Sequence, residues 1–252
     1  MVFAVRDGRL PEVARAYVGQ VEPTAVVLHV AGAVAPSVLA PLRPAAIGQW
    51  HPVRSFVGDD GSPADWAGTA VVLSGDERAI EAGRTLCSRL SMVALEPAAS
   101  FDRALYHAAL AMAANGTAAL AASAERMLRA AGLQGDAARR ALGPLLASVA
   151  ENVQRGGAEA ALSGPVRRGD VSTVTHHIRA LQGSDQAAEL PHYRAAVRAQ
   201  LSAAERLGEA TSAELEAIAA AVASPPDDED DDAEQTWGGQ QAPRPPNDEP
   251  RR

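Results

Sequence analysis

Along the first 97 residues, short unbroken apolar runs alternate with stretches whose apolar positions recur every three or four residues. VFAV precedes the turn residues Asp7 and Gly8 and the amphipathic LPEVARAYVGQ. TAVVLHVAG precedes APSVLAPLRPA, and IGQWHPVRSF and WAGTAVVLSGD precede DERAIEAGRTLCSRL before a short MVALEP closes the series. Strands buried on both faces read as continuous apolar runs, and helices of about ten residues between them suit a parallel sheet covered on both sides. The pattern predicts an α/β layer over residues 1–97.

After Pro97 the strand signal stops. The chain then reads as helices from Phe101 to Ala131, Asp136 to about Arg155, Val171 to Leu181 and Ala187 to Val222. Gly132 and the pair Gly156 and Gly157 act as stops for the first two, and Asp170 is placed to cap the third. Residues 98–223 are therefore expected to form an all-helical domain. From Ser224 the composition changes to SPPDDEDDDAEQTWGGQQAPRPPNDEPRR. Clustered like charge, repeated proline and a single aromatic residue leave too little apolar surface to offset chain entropy, so 224–252 is expected to be a disordered acidic tail. The fold class predicted is α/β followed by all-α.

Charge and cysteine content narrow the setting. The tail's nine acidic and three arginine side chains supply −6 of the formal net charge of −8, and all 23 basic residues are arginine. Nothing resembles a basic nucleic-acid footprint. The lone Cys87 excludes a disulfide within the chain, and a single thiol in a helical stretch is ordinarily a small buried hydrophobe. Arg6, Asp7 and Arg9 interrupt the opening apolar run, so no secretory leader is read there, and a cytoplasmic location is the expectation. Two uncharged stretches, 23–42 and 104–124, are not read as membrane spans. Gly32, Pro36 and Pro41 break the first, and the second is too rich in alanine to prefer lipid. That second stretch is expected to be a helix surrounded by other helices.

Ligands of open α/β sheets bind at the carboxyl ends of the strands. Those ends offer Val5, Arg6 and Asp7 after the first strand, Ala31 and Gly32 after the second, and His51 to Ser55 in WHPVRSF. His51 precedes Pro52, which biases its backbone towards an extended form. Either its ring serves acid-base or orienting work beside Ser55 and Arg54, or it hydrogen-bonds a turn. His107 and Asn115 lie two helical turns apart in LYHAALAMAANGTAAL, polar groups on an alanine-rich helix that either line a cleft or satisfy neighbouring backbone. His176 and His177 are adjacent and point to different helix faces, so no metal site is read. No G-x-G-x-x-G phosphate turn occurs in the chain.

HPVRSF, LYHAALAMAANGTAAL, LGPLLASVAENV, LSGPVRRGD and HHIRAL together resemble the bacterial family in which a Rossmann-like domain precedes domain of unknown function 2520, over roughly residues 1–205. That family is similar to ketopantoate reductase, pyrroline-5-carboxylate reductase and the β-hydroxyacid dehydrogenases. The resemblance implies a partial Rossmann-like parallel sheet, an NADP cofactor, and a helical domain that forms a homodimer and closes the cleft. MVFAVRDGRLPEVA resembles a mid-domain segment of the family, so the glycine-rich turn and about half the sheet are expected upstream. The dehydrogenase relatives use a lysine one turn before an asparagine. With Asn115 in the asparagine place, the lysine place is Ala111, and His107 is the candidate substitute. Two functions follow: an NADP-class oxidoreductase of unknown substrate, impaired in cofactor binding as this chain, with His51, His107 and Asn115 at its cleft, or a non-catalytic dimeric scaffold derived from that family.

Overall fold

The computed structural model describes residues 1–58 and 66–223; the stretch 224–252, and the disorder expected of it, lie outside the described residues. The chain divides between Ala124 and Glu125 into two compact units.

The first unit is built on five strands, β1 (Val2–Phe3), β2 (Val26–His29), β3 (Ala46–Pro52), β4 (Ala70–Gly75) and β5 (Val93–Leu95), which lie side by side in sequence order. All five fall in the apolar runs that predict them. The sheet is not wholly parallel, which corrects one expectation: β3 and β4 are antiparallel, whereas β1 with β2, β2 with β3 and β4 with β5 are parallel. A parallel pair needs a crossover, usually helical. The described residues between β3 and β4 contain no α-helix, so the chain returns beside β3 in the opposite direction.

Helix α1 (Leu10–Ala16) and a 3-10 segment at Pro36–Leu42 pack Leu10, Ala14, Leu39 and Leu42 against Phe3 and Val27 on one sheet face. The 3-10 form replaces the α-helix that APSVLAPLRPA suggests, because Pro41 inside the segment removes a donor. Helix α2 (Glu77–Arg89) covers the other face, placing Ala79 and the buried Cys87 on Leu28, Trp50, Val71 and Leu73. The long helical stretch then begins with α3 (Arg103–Ala111), whose capping residue Asp102 accepts from Ala104 N and Leu105 N at 2.9 and 3.0 Å. It passes through one π-turn at Met112–Gly116 into α4 (Thr117–Ala130). This stretch was expected to be surrounded by helices, yet Leu105 is 69% and Met112 77% exposed in the chain. Its apolar side is not a core face.

The second unit contains α5 (Ala137–Ala160), α6 (Val171–Gln182), α7 (Leu190–Leu207) and α8 (Ser212–Val222). Asp170 caps α6 as expected, accepting from Thr173 N at 2.9 Å. Gly157 breaks the α5 ladder with φ 82°, in line with its reading as a stop. The single helix expected over 187–222 is instead a 3-10 turn at Ala187–Glu189 followed by α7 and α8. Gly208 takes the left-handed conformation (φ 69°) that ends a helix, and Thr211 with Glu214 forms a capping box that starts the next. Val174, Ile178, Val197, Ala204, Leu215 and Ile218 form the core of this unit. Among the described residues no helix is long and apolar enough to cross a membrane.

The seat of α2 on the sheet depends on a missing side chain. A Cβ on Gly48 would lie 2.7 Å from the Ala79 Cβ and 2.9 Å from Leu28 Cδ2. Overpacking of this kind typically costs about 1–3 kcal/mol. Gly48→Ala is expected to lower the unfolding free energy by that amount, read as a lower urea midpoint with an unchanged slope of the transition.

Candidate functional site

Period-two alternation along β3 sends Gly48 and Trp50 towards α2 and sends Gln49 and His51 to the opposite face. Gln49 is paired across the sheet with His29 on β2 and Ser74 on β4, so the three form one polar row through a buried sheet. Gln49 donates its amide to Ala31 O at 2.7 Å and Gly32 O at 3.0 Å, and its Oε1 accepts from Ser74 Oγ at 3.0 Å. Arg103, at the start of α3, donates to Ser74 Oγ at 2.8 Å and lies over the Phe101 ring. The row therefore ties the carboxyl end of β2 to the first turn of α3.

That tie sets Gly32 against two histidines. A Cβ on Gly32 would lie 2.9 Å from His51 Nε2 and 2.9 Å from His107 Cδ2. Only glycine permits both rings to close on this turn. His51 Nδ1 meets the Tyr106 hydroxyl at 2.6 Å, with the rings edge to face. Burial, followed by the nearby His107 and opposed by Asp7, holds the His51 imidazole below its ordinary value of 6.5. Burial pushes the Tyr106 phenol up to about 12. A protonated phenol beside a neutral imidazole donates to Nδ1, its one acceptor among the described residues. The ring proton then sits on Nε2, at Gly32.

An open cleft of about 510 Å³ begins at these two histidines and is lined by His51, Arg54, Ser55, His107, Ala111 and Asn115. The π-turn, which carries more residues per turn than an α-helix, shifts the register between His107 and Asn115. Asn115 thus shares the cleft with His107 although eight positions separate them. Of the other residues proposed from sequence, Ala31 and Gly32 are the buried loop held by Gln49. Asp7 lies at that loop with Oδ2 3.5 Å from Ala33 N. Arg6 is exposed at the end of the first strand, and Val5 packs on the α1-side core. No cluster of histidine, cysteine and carboxylate suited to a metal occurs among the described residues.

A family model described as domain of unknown function DUF2520 matches residues 69–200, more than half of the chain. The chain belongs to the DUF2520 family. No curated protein matches it. Among solved structures, protein TM1727 from Thermotoga maritima is 23% identical with a TM-score of 0.63, covering 81% of this chain and 78% of its own. BF3122 of Bacteroides fragilis, a candidate NADP oxidoreductase, is 20% identical with a TM-score of 0.62, covering 79% and 73%. These likenesses place the DUF2520 chain in the Rossmann-like fold followed by a helical region, as its sequence resemblance implies.

Sequence reasoning passed over Tyr106, Gln49, Ser74, Arg103 and His29. Polar residues inside apolar strand runs, as in VVLHV and IGQW, were the signal available for two of them. His29 is completely buried, and neither ring nitrogen has a hydrogen-bond partner; the Ala35 backbone beside it does not reach bonding geometry.

Burial, only partly opposed by Asp7, lowers the His29 imidazole from 6.5 to about 4. A depressed value means that the folded chain binds its proton later than the unfolded chain. The stability of the neutral ring is therefore intact above about 6.5 and is lost as pH falls towards 4, on the order of 3 kcal/mol in all. His29→Leu removes this dependence. Unfolding free energies from urea titrations at pH 7 and pH 4.5 should separate by about 2 kcal/mol more in the parent chain than in the variant.

Proposed function

We propose that the chain is an oxidoreductase of the NADP-using Rossmann class in which His51, backed by Tyr106, orients and polarises an oxygen of the substrate. The observation that carries this reading is the convergence of His51 Nε2 and His107 on the side-chain-free Gly32, at a strand's carboxyl end. A reduced nicotinamide supplies hydride when bound. His51 holds a hydrogen-bond donor at Nε2 towards the cleft, and half-burial keeps the ring neutral, so it supports charge growing on an oxygen without carrying charge itself. Ser55 and Asn115 offer further hydrogen bonds at the rim. Ala111, in the place of the relatives' lysine, lines the same cleft, and His107 stands one turn before it as the replacement.

The residues fit a small ring better than a whole dinucleotide. The cleft has the volume for the former. A pyrophosphate needs a cradle of backbone amides, whereas the turn after β1 presents the Asp7 carboxylate, already directed at Ala33 N. We therefore assign no step to a tightly held dinucleotide and infer that NADP binding is impaired in this chain.

Helix α5 exposes Leu145, Val149 and Val153 at four-residue intervals, one apolar stripe. The stripe supports a homodimer formed through the helical unit. It equally suits the second reading, a non-catalytic dimeric scaffold. Val149→Glu should reduce the mass measured by light scattering to that of one chain.

Fluorescence of Trp50, next to His51, separates the two readings when the chain is titrated with reduced nicotinamide mononucleotide and with NADPH. The oxidoreductase reading expects both to bind in the millimolar range, within about threefold of each other, and both to be lost in Gly32→Ala, whose Cβ displaces the histidines. Micromolar NADPH binding would refute impairment, and binding of neither ligand would leave the scaffold.

A further inference from the structure

The second unit holds a different cleft, of about 470 Å³, between the end of α4, the carboxyl half of α6 and the start of α7. Met127, Ala131, Ala180 and Leu181 give it an apolar wall. Set into that wall is a second histidine backed by a tyrosine: His177 Nδ1 lies 2.9 Å from the Tyr193 hydroxyl, with the rings edge to face at 5.7 Å. Burial raises the Tyr193 phenol above its ordinary value. The phenol therefore keeps its proton, and with Nδ1 as its one acceptor among the described residues it directs its hydrogen bond there. This leaves a proton on His177 Nε2 with no partner there. The Gln186 side-chain amide is also without a bond among the described residues. The Ser184 hydroxyl is not available, because it donates to Leu181 O and accepts from Gln186 N.

An apolar cavity of a few hundred Å³ with one or two placed donors is the form of a small-molecule site. The donors call for an acceptor on the ligand. A carboxylate is disfavoured, because the nearby Arg126 and Arg129 are engaged by Glu189 and Glu125 and so do not offset its desolvation. We propose that the helical unit binds a small neutral apolar molecule bearing a single carbonyl-type acceptor, with its body against Met127, Ala131 and Leu181 and its oxygen on His177 Nε2. This site does not depend on the redox reading of the first unit.

The test is a titration of the full-length 15N-labelled chain with acetophenone, with ethylbenzene as its counterpart lacking the acceptor, and with phenylacetate. Saturable shifts are expected with acetophenone at the amides of Met127, Ala131 and Leu181 but not at Gly32. Ethylbenzene should bind at least about fivefold more weakly. Ala131→Phe, which fills the cleft from an exposed position, should abolish binding, and His177→Phe should reduce acetophenone to the level of ethylbenzene. The proposal fails if acetophenone does not saturate, if it binds Ala131→Phe unchanged, or if ethylbenzene or phenylacetate binds as well. It also fails if the same amides shift on dilution and ignore acetophenone, which would show the cleft covered by a second copy of the chain.

Discussion

A buried side-chain amide has few ways to be satisfied, and in the first unit that requirement shapes everything around the cleft. Gln49 is 1% exposed in the middle of the sheet. An unmet donor or acceptor there would cost about 1–3 kcal/mol. Its solution is to bond two successive carbonyls of the loop after β2 and one hydroxyl on β4. Together those bonds join the loop after β2 to β4, and Arg103 adds the start of α3 through the same hydroxyl. The Gly32 turn, the two histidines that close on it and the helix that carries one of them are thus held by one network.

The reversed strand is what makes this network possible. Because β4 runs antiparallel to β3, Ser74 lies opposite Gln49, and β4 begins at the end of the sheet where His51 emerges. A fully parallel sheet would have carried the chain away through a crossover at that point. Instead Arg54 and Ser55 remain beside the cleft as its near wall. Among the described residues, the departure from parallel pairing is also the feature that gathers hydrogen-bonding groups at one strand end.

Much of the fold was legible in the sequence because burial on two faces leaves a clear mark: each of VFAV, TAVVLHVAG, IGQWHPVRSF, WAGTAVVLSGD and MVALEP holds most or all of one strand. Strand direction was not legible, since an apolar run carries no sign of its partner's orientation. Gly208 escaped notice because the apolar spacing of α7 continues in phase into α8, and only the Thr211 and Glu214 pair reports the break. His51, His107, Asn115 and Ser55 were found as separate polar punctuation marks, and the cleft brings them together. Tyr106 was not singled out. A tyrosine on an amphipathic helix looks like packing until the histidine it meets, 55 positions away, is in place.

The absence of lysine gives the cleft its chemical character. A lysine at position 111 would bring a mobile cation, able to donate a proton and to hold an anion by charge alone. Histidine at 51, half-buried and further disfavoured as a cation by the neighbouring His107, is held in its neutral form. A neutral imidazole is a weaker acid, but a better fixed one, since its Nδ1 is anchored by a phenol that ionises only near 12. Such a group stabilises developing negative charge by position rather than by net charge, and positioned donors gain most where water is scarce. In the oxidoreductase proposed above, the buried Gln49 network and the bare Gly32 turn would supply by rigidity part of what a lysine would supply by charge.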